Sequence, residues 1–171
     1  APGDALTIEE AVIIQFGNNV DFNIHGEILA NGTTERPIVF RSSNPIPASG
    51  DWGGIWFDQN NANTSVLNHC RILHGGSTAF GVNPFPIYLD LRANPTISNT
   101  SIDSSRINAI GLVAGGYNTS VTLQNHGLPI WVNSDITMAA GAVMQIDPGV
   151  LLKMARDSDF FINGGLVVDG S

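Results

Sequence analysis

A stack of parallel β-strands, an all-β solenoid, is the fold this sequence predicts, and three observations predict it. First, Ala1 to Thr33 aligns without a gap on Ala139 to Ser171 at a constant offset of 138. Nine positions are identical, among them Gly3/Gly141, Ile8/Ile146, Asp21/Asp159, Phe22/Phe160, Ile24/Ile162, Gly26/Gly164 and Gly32/Gly170. Second, shorter phrases recur between these copies. Val66-Leu67-Asn68-His69, Thr96-Ile97-Ser98-Asn99 and Thr122-Leu123-Gln124-Asn125 stand 30 and 26 residues apart, and Ile55-Trp56-Phe57, Ile87-Tyr88-Leu89 and Ile110-Gly111-Leu112 stand 32 and 23 apart. Third, no window carries apolar residues at a period of 3.6 between capping residues, so helices are not expected. Periods in the twenties to low thirties match one turn of a parallel β-helix, in which each coil offers three short strands to the coil above.

The elements follow in chain order. Short β-branched runs, many of them alternating, span 6–16, 22–30, 37–41, 54–57, 65–73, 87–91, 96–102, 109–114, 120–124, 130–138, 142–154 and 160–168. Gly, Asn, Asp and Pro separate them, and these residues supply positive φ or a fixed turn. At about 4.8 Å per coil, six to seven coils make a rod on the order of 30 Å long. An antiparallel sandwich competes for the same strand spacing. The scarcity of Asn-Gly hairpin turns and the phasing of each strand to its counterpart one repeat later both weigh against it.

With 171 residues and 43% hydrophobic content, the chain can build one core. We expect a single β-helix segment over 1–171, with 1–33 and 139–171 as copies of one repeat unit. The net charge of −8 and a single lysine, Lys153, argue against a nucleic-acid partner and against anionic membrane surfaces. No apolar run is long enough for membrane insertion by a helix. One cysteine, Cys70, excludes an intrachain disulfide. Because the chain starts inside a repeat unit, an export signal would lie upstream of it.

Several phrases also carry a resemblance. Asp51-Trp52-Gly53-Gly54-Ile55, Leu29-Ala30-Asn31-Gly32-Thr33 leading to Pro37-Ile38-Val39-Phe40, Leu67 to Ile72, and Ile146-Asp147-Pro148-Gly149-Val150 resemble right-handed parallel β-helix proteins of the pectin-lyase-like class. Within that class they are most similar to secreted or surface repeat proteins of bacteria. The likeness covers nearly the whole chain and implies the fold, right-handed coils included. It does not imply one activity, because that fold hosts lyases, hydrolases, adhesins and phage spikes. Glu10-Ala11 departs from the Pro148-Gly149 of the second copy, which puts the first copy's turn geometry in question.

The residues that could carry chemistry lie on one strand pair. If Ile55, Phe57, Ile87 and Leu89 point inward, alternation places Trp56, Asp58, Tyr88 and Asp90 outside, with Trp56 over Tyr88 and Asp58 near Asp90. Exposed aromatic rings suit the C–H faces of sugars, and two carboxylates about 5 Å apart suit a retaining glycosidase. The plainer expectation is that the rings cover a neighbouring insertion and the aspartates cap turns. Trp52, before Gly53-Gly54, is expected to be a buried packing anchor. Lyase chemistry of the kind the resemblance brings into view uses a base with calcium or cations to neutralise a uronate. Lys153 and six scattered arginines, with Arg71 and Arg92 nearest the acidic pair, give that chemistry little support, and no calcium loop is spelled out.

His25, His69, His74 and His126 lack metal-ligand spacing, so no metal and no cofactor is implied. His69 aligns with Asn99 and Asn125 and is expected to hydrogen-bond in a polar ladder at a turn. Cys70 aligns with Thr100 and is expected to be small, buried and inert. Thr96 and Thr122 align without the Thr-x-Thr register of an ice-binding face. Four sequons, at Asn31, Asn63, Asn99 and Asn118, follow from composition.

Neither end carries an obvious cap, so a further coil of a longer chain or another copy end to end is the expected neighbour. The function expected is non-enzymatic: a structural or adhesive solenoid segment of an extracellular or cell-surface tandem-repeat protein or filament. The alternative is a carbohydrate-binding or carbohydrate-active β-helix, with polysaccharide as partner and Trp56, Tyr88, Asp58 and Asp90 as its residues.

Overall fold

Parallel pairing governs every strand ladder in the computed structural model, which describes residues 5–58, 64–79 and 84–170. The sequon at Asn63 and the Ala1-Pro2-Gly3 start of the first repeat lie outside those residues. A first sheet of four strands contains β1 (Ala5–Ile8), β4 (Glu27–Asn31), β7 (Val66–Asn68) and β10 (Thr96–Ser98). A second contains β2 (Ile13–Phe16), β5 (Ile38–Ser42), β8 (Cys70–Leu73) and β11 (Ser101–Asp103). The third has six strands: β3 (Asp21–Ile24), β6 (Gly54–Phe57), β9 (Ile87–Leu89), β12 (Ile110–Leu112), β15 (Ile130–Val132) and β18 (Leu152–Met154). Two sheets of three strands complete the set, one of β13 (Gly115–Tyr117), β16 (Ile136–Met138) and β19 (Phe160–Ile162), the other of β14 (Val121–Leu123), β17 (Val143–Ile146) and β20 (Gly165–Val168). Through β12 the chain visits the first three sheets in strict rotation. It then rotates through the six-stranded sheet and the two smaller ones. The described residues contain no α-helix. Such repeated returns to the same parallel ladders are consistent with a β-solenoid.

Registers expected from the recurring phrases hold where the ladders are continuous. Thr96, Ile97 and Ser98 lie beside Val66, Leu67 and Asn68, and Ser101 and Ile102 beside Arg71 and Ile72, each at an offset of 30. Ile55, Trp56 and Phe57 lie beside Ile87, Tyr88 and Leu89, which in turn lie beside Ile110, Gly111 and Leu112. The third member of the first series departs from expectation. β14, which contains Thr122, pairs with β17 and not with β10, so the first sheet stops at β10. A polar groove of about 290 Å³ lies between the residues entering β10 and those entering β14.

Seven of the twelve expected runs are each two strands. Corners break them, and several corners use left-handed backbone at residues other than glycine. His69 (φ 50°) divides β7 from β8, and Asn99 (φ 48°) divides β10 from β11 at the same place one repeat on. His74 (φ 65°) and Ser104 (φ 51°) close the following strands at the same offset of 30. Asn tolerates this region because its short amide bonds locally. Here the Asn99 amide donates to Asn68 Oδ1 at 3.0 Å, and Ser98 Oγ donates to the same oxygen at 3.0 Å. His69 holds its corner through its backbone, donating to Ser98 O and accepting from Ile38 N, both at 3.2 Å. Asn125 belongs to a different turn, where its amide donates to Pro148 O at 3.0 Å. Gly115–Tyr117 is a strand that composition did not suggest, since its first two residues are glycines.

Inward rows of Ile, Leu, Phe, Val and Met form one continuous core along the stack. Near the N-terminal end it is aromatic. Trp52 is fully buried and stacks on Phe16, with ring centroids 4.2 Å apart and planes 10° apart, and its indole N–H donates to Leu73 O at 2.8 Å. The glycines after Trp52 have a steric cause: a Cβ at Gly53 would overlap the Asp21 carboxylate, and one at Gly54 would lie 2.8 Å from the Phe85 and Pro86 carbonyl oxygens. Cys70 is buried as expected. Loss of hydration pushes its thiol up to about 12.

Candidate functional site

The six-stranded sheet carries the candidate residues because its outward positions form one straight row. In register across the strands stand Asn23, Trp56, Tyr88, Gly111, Trp131 and Lys153. Neighbours in such a row sit about 4.8 Å apart, so the row runs roughly 24 Å along the stack. Trp56 and Tyr88 meet as expected, with centroids 4.5 Å apart, but their planes stand at 76°. An edge-to-face pair is a favourable contact between rings and does not form the shared flat platform that a parallel stack would. Both rings are half-buried, and burial raises the Tyr88 phenol above its ordinary pKa.

Gly111 interrupts the row, and Phe85 fills the gap. A Cβ at Gly111 would overlap the Phe85 ring, which is fully buried there. Phe85 stacks on Tyr88 at 6.4 Å with planes 9° apart, and lies 6.3 Å from the Trp131 ring. Lys153 Nζ stands 5.7 Å from the Trp131 centroid, within cation–π range. Trp131 and Phe85 were not among the residues singled out from sequence. The signal was present in Ile130-Trp131-Val132, which repeats the Ile-aromatic-apolar phrase of β6 and β9.

The two carboxylates have separate environments. Asp58 Oδ2 lies 2.8 Å from His25 Nδ1 and is partly exposed. Asp90 is placed differently from expectation: it is buried, at 6% exposure, instead of outward. The reason is that β9 ends at Leu89 and the chain turns, so strand alternation no longer sets the direction of residue 90. Arg92 closes on Asp90 as a fork. Its Nε donates to Oδ1 at 2.9 Å, its Nη2 to Oδ2 at 2.8 Å, and its backbone N–H to Oδ1 at 2.8 Å. These bonds raise the Arg92 pKa. The guanidinium also lies 5.3 Å from the Tyr117 ring centroid, and Tyr117 donates its hydroxyl to Val113 O at 2.7 Å. This arrangement ties the turn after β9 to β13. Chemically, it commits both oxygens of Asp90 to one cation.

Histidine behaves variously. His126 is buried, its Nε2 has no hydrogen-bond partner, and burial lowers its pKa. Among the described residues no group of three or more His, Cys, Asp or Glu is placed to hold a metal ion. No helix of the described residues is long and apolar enough to cross a membrane. No protein-family model, no curated protein and no solved structure matches the chain.

Proposed function

We propose that the chain is a non-enzymatic, structural or adhesive segment of a right-handed parallel β-helix of about six to seven coils, of the pectin-lyase-like bacterial type. It would belong to a tandem-repeat protein outside the cell or on its surface. The observation that carries this reading is the use of the polar side chains at the candidate site. Asp90 is consumed by Arg92, Asp58 is engaged with His25, and the row of rings is interlocked by Phe85. Groups that hold turns and ladders together serve a stiff rod, in which coil-to-coil hydrogen bonds and inward apolar stacks carry the load.

A second reading, carbohydrate binding along the six-stranded sheet, is favoured by one observation: Trp56, Tyr88, Trp131 and Lys153 share a straight outward row. A glycan array and a product-release assay on a polysaccharide panel separate the two. The structural reading expects neither binding nor product from the wild type. Binding that is lost in Trp56→Ala with an unchanged circular dichroism spectrum would replace it with a binding module, and product release abolished by Asp58→Asn would replace it with an enzyme.

A further inference from the structure

A second groove, of about 180 Å³, opens at the corner between the first and second sheets, and no residue of the six-stranded sheet lines it. Three successive passes of the chain supply its walls: Thr33, Thr34 and Pro37 from the β4–β5 connection, His69 and Arg71 from the β7–β8 corner, and Ser101 from the start of β11. Arg71 and Ser101 are register partners on neighbouring strands, about 4.8 Å apart on the same outward face. The β4–β5 connection is pinned beside them. Gly32 N–H donates to Asn68 O at 2.9 Å and Ile38 N–H to His69 O at 3.2 Å, while Thr33 N–H donates to Arg36 O and Arg36 N–H to Thr33 Oγ1, both at 3.1 Å. A Cβ at Gly32 would stand 2.7 Å from His69 O, so only glycine lets the two passes approach this closely.

Charge and unspent donors set this groove apart. The chain carries 15 acidic against 7 basic side chains, yet no Asp or Glu lines the groove. Arg36 is held by Glu10 at 2.7 Å and Arg92 by Asp90 at 2.8 Å. The exposed Arg71 guanidinium, by contrast, makes no hydrogen bond or ion pair among the described residues, and neither does the His69 ring. Asp103, diagonal to Arg71 on β11, does not pair with it. We infer that this groove binds a small oxyanion, a phosphate or sulfate group. Arg71 supplies a permanent charge and a planar pair of N–H donors that matches two oxygens of such a group. His69 has a ring N–H to donate whether neutral or charged, and the Thr34 and Ser101 hydroxyls border the same space. Donors that converge from three passes suit a tetrahedral group better than a carboxylate, both of whose oxygens Arg71 alone would take. The volume is below that of sites enclosing larger ligands, roughly 300–1,000 Å³, and fits one such group, free or at the end of a larger molecule. The inference goes beyond the proposed function and does not depend on it, since a structural rod or a glycan binder could each carry the site.

Amide chemical-shift titration of the 171-residue chain with sodium phosphate and with sodium sulfate, against sodium chloride at matched ionic strength, tests the site. Saturable shifts confined to residues 32–38, 69–71 and 99–101 are expected with both oxyanions and not with chloride. Arg71→Gln should weaken binding about tenfold or more, because a hydrogen-bonded charge is lost. His69→Asn should weaken it severalfold and still fold, since Asn99 holds the same left-handed corner one repeat on. Arg156→Gln, at an exposed arginine outside the groove, should leave it unchanged. Glucose 6-phosphate and glucose 6-sulfate distinguish the sources of the group: esters that bind no tighter than the free ions assign a free ion, and tighter esters assign a group carried on a larger molecule. Absence of shifts with both oxyanions, the same shifts with chloride or with glucose alone, or shifts unaltered in Arg71→Gln would overturn the site.

Discussion

Ala11 and Gly149, 138 residues apart, hold the same left-handed turn, with φ of 64° and 78°. The next corner repeats the relation: Asn19 has φ 61° and Asp157 has φ 58°. Glu10-Ala11 thus makes the turn that Pro148-Gly149 makes, although an L-residue without a locally bonding side chain is strained there by about 1–2 kcal/mol.

Ala11→Gly is accordingly expected to stabilise the protein by about 0.5–1 kcal/mol, the relief of strain being partly offset by a more flexible unfolded chain. Gly149→Ala should cost more than the same strain alone, since its Cβ would stand 2.6 Å from the Asn125 amide nitrogen. Urea denaturation of both variants checks the pair. No gain in Ala11→Gly would mean that the turn is not strained.

Phe85 and Gly111 should behave as one unit. Gly111→Ala forces the Phe85 ring from its place and is expected to cost about 1–3 kcal/mol, while Phe85→Ala empties a fully buried site and is expected to cost about 3–5 kcal/mol. In the double variant the methyl group has room, so the two losses should not add. A double-mutant cycle by thermal unfolding measures the coupling, and strict additivity would contradict the packing described.

Acid should weaken the fold through His126. Its folded pKa is depressed because burial disfavours the charged ring, with the Ile97 backbone hydrogen bond opposing that shift. The unfolded chain therefore takes up a proton first, near the ordinary value of about 6.5. Stability is fully present above that pH and declines as pH falls toward the lower folded pKa. His126→Gln should flatten this slope. Asp51 adds a separate, more acidic window. Its carboxylate accepts hydrogen bonds from Ser42 and Ala48 that lower its pKa, so its contribution is lost only as pH falls below about 3.8. Melting temperatures from pH 8 to pH 3 distinguish the two windows.

Asp90→Ala leaves the half-exposed Arg92 without its fork partner and is expected to cost about 1–3 kcal/mol. Asp58→Ala, at a partly exposed ion pair, should cost under about 1 kcal/mol. Equal losses would argue that Asp90 is not the structural anchor its geometry makes it.

The ladders were legible because parallel stacking repeats side-chain character at each return of the chain: Ile55-Trp56-Phe57 over Ile87-Tyr88-Leu89 is written in the sequence as it is built. Corners were less legible. His69, His74 and Ser104 take left-handed backbone without the glycine that usually announces it, so single runs concealed two strands. At the candidate site, the Trp56–Tyr88 contact could be read from alternation, while the burial of Asp90 could not, because alternation ends with the strand.

Sequence alone determined the β class, the registers at offsets of 30, 32 and 23, and the ungapped alignment of residues 1–33 on 139–171. Those properties are local or periodic, and each repeat states them again. Only the tertiary structure decided that Phe85 occupies the space above Gly111, that Arg92 takes both oxygens of Asp90, and that the first sheet stops at β10. Each depends on where a turn delivers a side chain or on whether another strand follows, and neither the period nor the composition of a strand encodes that.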